Sequence, residues 1–438
     1  MRGKFKKAVA AFLLLLSLGV TTTGSRVYAE ENFSGEDAVK RVYRESSGDV
    51  EELAGYELSV EQAEKLLGQQ EAQSIQWSGS SEEESFLALG SDYGYQDMLK
   101  RTNSAGRQSL YKKLEQSSRN FTLSNDDCTT IDLSDGTSYV AAAINIREDQ
   151  LSSIEIMEAY FTFRNDNPQY FWLSNKVAWG SGTLFVLTYD AYQDGEARAE
   201  AFQQILQTTE EVYCSRADGA DSDYGKVKAV HDALIADISY SADVNEETAH
   251  SIAGAMTPAK SAVCEGYAKV MQLMMNFYDI SNIYVTGYGG GGAHAWNMVQ
   301  MEDGNYYWLD ATWDDQPSEA FQYQYFLVGN MSFADHVPDS PAMSGTSFLY
   351  ELPAASDTDY KPGQSGGDPG ESDLVRGDVT GDSNVDIEDL RMVLRAVCGK
   401  INLDESQAEA ADVSDDGNVN IEDLRKILRF VCRKIEEL

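Results

Sequence analysis

Towards its C-terminal end the chain repeats itself. The stretch Gly377-Asp-Val-Thr-Gly-Asp-Ser-Asn-Val-Asp-Ile-Glu-Asp-Leu-Arg391 returns as Ala411-Asp-Val-Ser-Asp-Asp-Gly-Asn-Val-Asn-Ile-Glu-Asp-Leu-Arg425, an offset of 34 residues that Cys398 and Cys432 also keep. A duplication this long leaves little freedom, because each copy is an acidic loop feeding an amphipathic helix and the two must fold as like halves. Each loop carries oxygen ligands at positions 1, 3, 5, 9 and 12, a spacing suited to the hard cation Ca²⁺. In the first copy these are Asp378, Thr380, Asp382, Asp386 and Asp389, with Asn384 offering a backbone carbonyl. In the second they are Asp412, Ser414, Asp416, Asn420 and Asp423, with Asn418 likewise. A pair of helix caps with acidic turns would not need a full ligand set twice.

Residues 374–438 therefore resemble a dockerin domain. The resemblance implies a small all-α module, two bound Ca²⁺ ions and, as partner, the cohesin module of a scaffoldin. It also implies that loop-end and first-turn residues face the cohesin: Ile387, Glu388 and Arg391, then Ile421, Glu422 and Arg425. Their near identity predicts docking in two orientations. Thr380 and Ser414 stand where the family has Asn, and Ser383 where it has Gly. Cys398 and Cys432 fall on the apolar sides of the helices, as core thiols or as a mutual disulfide. A linker rich in Gly, Pro, Ser and acid, within residues 351–373, precedes the module.

The second constraint lies between Ala259 and Gln316. Cys264 follows Pro258 and opens an apolar stripe of Val263, Tyr267, Val270, Met274 and Phe277 at helical spacing. A thiol at a helix N-terminus faces unpaired N–H groups and the positive dipole end, which favour thiolate. His294 and Asp310 sit on two strand-like runs joined by Glu302-Asp-Gly-Asn305. A two-residue Asp303-Gly304 turn would set Asp310 opposite Asn297, on the other face from His294. A turn one residue longer would set it opposite Trp296, diagonal to His294, where side chains can meet. The longer turn is predicted. Cys264 then serves as nucleophile, His294 as its base and Asp310 as the group that orients the imidazole.

Val263-Cys-Glu-Gly-Tyr-Ala268, Ala293-His-Ala-Trp-Asn297 and Trp308-Leu-Asp-Ala-Thr-Trp313 resemble, in order, three signature blocks of the transglutaminase-like superfamily. They are most similar to the bacterial secreted members described as cysteine proteases. The resemblance implies an α+β, papain-like core in which a helix packs on an antiparallel sheet. It implies an acyl-transfer enzyme acting on protein or peptide amides, with no catalytic cofactor. Hydrolysis by a peptidase is the expected outcome. Amine-accepting cross-linking and a silent peptide- or glycan-binding module are the alternatives. Tyr325-Phe-Leu-Val-Gly-Asn330 with His336 resembles the family's trailing segment. His231, His250 and His336 are lesser candidates for the base, since they lack the hairpin partner.

Residues 1–29 read as a secretory signal peptide: a basic start, an apolar run from Ala8 to Val20, and Val27-Tyr-Ala29 at the cleavage site. The protein is thus expected outside the cell, without a membrane anchor, attached to a cell-surface multienzyme scaffold. A formal net charge of −38 opposes nucleic acid and anionic membranes as partners. Residues 30–95 are acidic and read as partly disordered. Residues 96–221 read as an α/β accessory region, with helices at Asp97–Leu114, Leu151–Arg164 and Glu196–Cys214. The catalytic core is expected over 222–350. Gly289–Gly292 reads equally as a mobile rim beside His294 or as a plain turn. Cys128 and Cys214 are candidates to pair with each other.

Overall fold

A computed structural model describes residues 30–31, 38–44, 50–70, 78–318, 321–339, 351–362 and 376–431, apart from 381–384, 386, 398–400, 402, 404 and 415–416. The signal segment, Cys398, Cys432 and the loop positions Asp382, Asn384, Asp386 and Asp416 lie outside the described residues, as do the side chains of Ile387, Glu388 and Glu422.

The first layer is a seven-stranded sheet. Its strands are β1 (Glu30–Glu31), β2 (Val39–Arg44), β3 (Leu53–Glu57), β4 (Thr129–Leu133), β5 (Gly136–Asn145), β6 (Leu173–Gly180) and β7 (Thr183–Thr188), in the order β1-β2-β3-β6-β7-β5-β4. All pairs are antiparallel except β3 with β6. The acidic region therefore supplies three strands at one side of this sheet, of which β3 is interior and has Leu53, Ala54 and Tyr56 buried. Composition concealed this, because the strand is short and lies among Glu, Ser and Gln residues. The helix expected at Asp97–Leu114 is two, Tyr93–Met98 and Ser104–Leu123, broken where Asn103 turns left-handed at φ 50°. The helix expected at Leu151–Arg164 spans Ser153–Asp166, with Ser152 and Glu155 forming a capping box. The Asp166–Leu173 block after it is packed structure: Trp172 is buried and its indole N–H donates to Thr122 Oγ1 at 2.8 Å.

The segment over 222–350, expected to carry the catalytic residues, adds a short parallel pair, β8 (Ser239–Tyr240) with β9 (Ser261–Ala262). It also adds a four-stranded antiparallel sheet of β10 (Asn282–Gly289), β11 (Gly292–Gln300), β12 (Tyr306–Leu309) and β13 (His336–Pro338), ordered β12-β11-β10-β13. The helix Cys264–Phe277 lies against this sheet, and Asn297 Nδ2 donates to Ala268 O at 2.9 Å. Its residues Cys264 through Met275 are all buried, whereas Phe277 is exposed. The helix is thus enclosed on every side, not along a single stripe. One apolar core runs from Phe86, Leu110 and Trp172 of the accessory layer to Tyr267, Met271 and Leu309 of the catalytic segment.

A buried ionic network joins the same two parts. Glu265 Oε2 accepts from the Glu51 backbone N–H at 2.9 Å and faces His250 Nδ1 at 2.7 Å, while Oε1 accepts from Tyr284 at 2.8 Å. Lys269 Nζ lies 3.6 Å from Glu265 and donates to His250 O at 2.7 Å. The Glu51 carboxylate pairs with Arg164 and accepts from Tyr189. Burial works to raise the Glu265 carboxyl, but Lys269, His250 and Arg164 outweigh it and hold it well below the usual range.

The dockerin-like module keeps its duplicated pattern in its packing. Val379 and Val413, and likewise Val393 and Ile427, share one small core between the helices Ile387–Val397 and Ile421–Val431.

Replacing Arg164 with Leu would strand Glu51 as a buried, unpaired carboxylate, at a cost of about 3–5 kcal/mol. Urea unfolding should show that loss. An unmoved midpoint would mean the network adds little to the join between the two parts.

Candidate active site

The Cys264 helix begins at the cysteine itself. Val263 caps it with extended backbone and no side-chain hydrogen bond, so nothing on that side chain competes for the helix N-terminal N–H groups. The following residues each have a visible reason. Glu265 turns into the ionic network. Gly266 is needed because a Cβ there would come within 2.6 Å of Ala249 O. Tyr267 donates its hydroxyl to Asp315, just beyond the Asp310 turn. Cys264 is fully buried and shares a cluster with Val50, Ala268, Tyr284, Ala293 and Ala295. Ala293 and Ala295 flank His294 on β11.

The hairpin adopts the longer turn. Asn297 pairs with Leu309 and Gln300 with Tyr306, a register that places Asp310 opposite Trp296. Met301 N donates to Asn305 O at 3.0 Å, and Gly304 at φ 78° absorbs the extra residue. His294 Nε2 then lies 2.7 Å from Asp310 Oδ2. The strand expected over Tyr306–Trp313 stops at Leu309. Asp310 caps a helical turn, Ala311–Asp314, and its Oδ1 accepts from Thr312 N at 3.0 Å and Trp313 N at 3.3 Å. One oxygen of this Asp caps the turn and the other faces His294. Burial pushes its carboxyl up, but the charge and hydrogen bonds of His294 and the hydrogen bond of His336 prevail and bring it down to about 2.

Gly290 and Gly291, at φ 58° and 91°, form a tight two-residue turn between β10 and β11. A Cβ on Gly289 would sit 3.0 Å from His294 Cδ2, so the glycines bring this turn up against the imidazole. Trp313 lies over His294, with ring centroids 5.2 Å apart.

His336, a lesser candidate for the base in the sequence, also reaches Asp310. It stands on β13, whose pairing with β10 sets Gly289 opposite His336, and its Nε2 reaches Asp310 Oδ2 at 3.2 Å. A strand of three residues, 26 positions from Asp310, gives no local signal of that contact. The other two histidines are placed elsewhere: His250 in the ionic network and His231 beside Asp232 and Asp314. Cys128 and Cys214 are free thiols, not a disulfide, and burial pushes them up to about 12 and about 11.

The duplicated loops present oxygen atoms of the expected kind. Asp378 Oδ1 and Thr380 Oγ1 are 3.3 Å apart, and Asp412 Oδ1 and Ser414 Oγ 3.2 Å apart. Asp389 and Asp423 are buried beneath their loops and accept backbone N–H groups from Thr380 and Ser414. This hard-oxygen donor set fits Ca²⁺.

Residues 212–311 match the family model described as the transglutaminase-like superfamily. Residues 376–431 match that of the dockerin type I domain. No curated protein matches the chain. Two solved structures show low similarity, each at 18% identity over 30% of this chain. One, described as a TGase, has a TM-score of 0.24 with 41% of its length covered. The other, a Cytophaga hutchinsonii protein provisionally assigned as a cysteine protease, has a TM-score of 0.21 with 51% covered. The chain thus spans about half or less of each, and scores this low carry no argument.

Because Asp310 is lowered to about 2 in the folded protein, its ion pairing stabilises fully above the unfolded carboxyl range and is lost as pH falls through about 2. Asp310→Asn should therefore be less stable than the parent by about 2 kcal/mol at pH 7. The gap should close between pH 4 and pH 2, as read by denaturant midpoints. A gap independent of pH would argue against the ion pair.

Proposed function

We propose that this chain is an exported, scaffold-docked cysteine enzyme that transfers acyl groups from protein or peptide amides, with water as its usual acceptor. The observation that carries the reading is the His294–Asp310 pair, 2.7 Å apart, on a strand whose residues Ala293 and Ala295 pack with Cys264 at the start of its helix.

Asp310 occupies Nε2 of His294, which leaves Nδ1 to exchange a proton with the thiol. The Cys264 thiolate attacks the amide carbonyl carbon and its electron pair moves onto oxygen. The backbone N–H of Cys264 stabilises that oxyanion, together with the positive end of the helix. The intermediate collapses, the C–N bond breaks, and the leaving amine takes the proton held by His294. Water then attacks the thioester while His294 accepts its proton. Cleavage of the C–S bond frees the acid, and the proton returns to Cys264. An amine in place of water would give a new amide by the same second step.

In the docking module, Asp378, Thr380, Asp389, Asp412, Ser414, Asn418, Asn420 and Asp423 are described residues that would hold Ca²⁺. The ion would order the two loops against their helices. The expected partner is a cohesin.

Iodoacetamide alkylation of Cys264 should stay fast well below the free-thiol range of about 8.5. It should slow to ordinary thiol behaviour in His294→Ala. Peptide mapping of the alkylated chain should assign the reaction to Cys264 among the five cysteines, the Cys128 and Cys214 thiols being raised by burial. Cys264→Ala should abolish peptide turnover. An ordinary alkylation profile in the parent would favour a silent binding module. Separately, a chelator should release the protein from immobilised cohesin and added Ca²⁺ should restore capture; chelator-resistant capture would contradict the calcium-loop reading.

A further inference from the structure

Two imidazoles meet one oxygen. Asp310 Oδ2 lies 2.7 Å from His294 Nε2 and 3.2 Å from His336 Nε2. The other nitrogen of His336, Nδ1, lies 2.8 Å from Asp335 Oδ1. An ionised carboxylate only accepts hydrogen bonds, so each nitrogen of His336 must bring a hydrogen to its contact. A ring with hydrogen on both nitrogens is a cation. Its surroundings suit one. The ring stacks on Phe333 with centroids 3.9 Å apart, and Trp313, Trp296 and Tyr325 stand at 4.4, 5.0 and 5.3 Å. Aromatic faces attract cations. Asp335, at 46% side-chain exposure, is the only member of this chain of contacts that reaches well into water.

We propose that His336 is a positioning residue: a cationic second imidazole that fixes Asp310 and divides its charge, so that it sets the pH range over which His294 keeps its proton. This rests on the reading of Cys264, His294 and Asp310 as a triad. The two imidazole centroids are 5.6 Å apart, close enough for a positive charge on one to oppose a positive charge on the other. Removing that cation while keeping an N–H donor leaves His294 facing an undivided carboxylate. His294 then holds its proton to higher pH.

Other charged groups face the pair from each neighbouring element. Asp314 lies on the turn after β12, pressed against His231. Asp335 and Tyr325, which are hydrogen-bonded at 2.8 Å, come from the return segment. All are common to the parent and to a His336 variant, so the difference between the two reports on His336.

The chain has four histidines, few enough for ring-¹⁵N labelling and assignment by substitution in the full-length protein. At neutral pH the spectrum should show His336 with hydrogen on both nitrogens. In His336→Gln, the pH at which the His294 signals change should rise by about one unit. The alkaline limb of Cys264 alkylation should rise with it. A single neutral tautomer at His336, or unmoved His294 signals in the variant, would overturn the proposal. Should His336→Gln fail to fold, Asp335→Asn removes the outer carboxylate from the exposed side. It should move His294 in the same direction, and no movement would again overturn the proposal. An unreactive Cys264 combined with an intact His336–His294 linkage would count against the triad and not against this inference.

Discussion

The Asp310 carboxylate holds the site together. Oδ1 takes two backbone N–H groups and so fixes the helical turn that follows β12. Oδ2 takes His294 from β11 and His336 from β13. Three segments, β11, β12 with its turn, and β13, are thereby set relative to one buried charge. Such a charge is costly unless every lone pair is satisfied, and here the protein supplies four donors. The arrangement explains why this Asp must sit at a strand end: only there can one oxygen cap a turn while the other faces across the sheet.

The sequence showed the parts of this site that depend on local counting. The order Cys, His, Asp, the hairpin and the one-residue excess in its turn could all be read, because strand faces alternate with period two. The position of Cys264 at a helix start could be read from Pro258 and the apolar run. His336 could not, since its placement follows from the pairing of β13 with β10. Nor could Glu51, whose partners Arg164 and Glu265 lie more than a hundred residues away. Trp313 looked like strand until the Asp310 cap turned the chain. The break at Asn103 and the π-helical turn at Thr209–Cys214 are departures that helical periodicity does not register.

The two ends of the molecule use charge differently. In the duplicated loops, the carboxylates of Asp378 and Asp412 stand beside the hydroxyls of Thr380 and Ser414, an arrangement suited to relief by an ion from solution. Around Glu265, Arg164, Lys269 and His250 provide the relief internally. Burial and the neighbouring Arg164 bring Lys269 down to about 8, a sign of how crowded with cations that interior is.

The apolar core that passes without interruption from Phe86 to Leu309 has a consequence for how such a gene can be reshuffled. The family model matches 212–311, but that stretch alone would carry away one wall of a shared interior. It would take Tyr267 and Met271 out of the cluster they share with Phe163 and Trp172. Recombination can therefore exchange the duplicated module across the 363–375 join far more readily than it can exchange the catalytic segment. The heritable folding unit of this chain begins with the acidic strands, well upstream of its recognisable motifs.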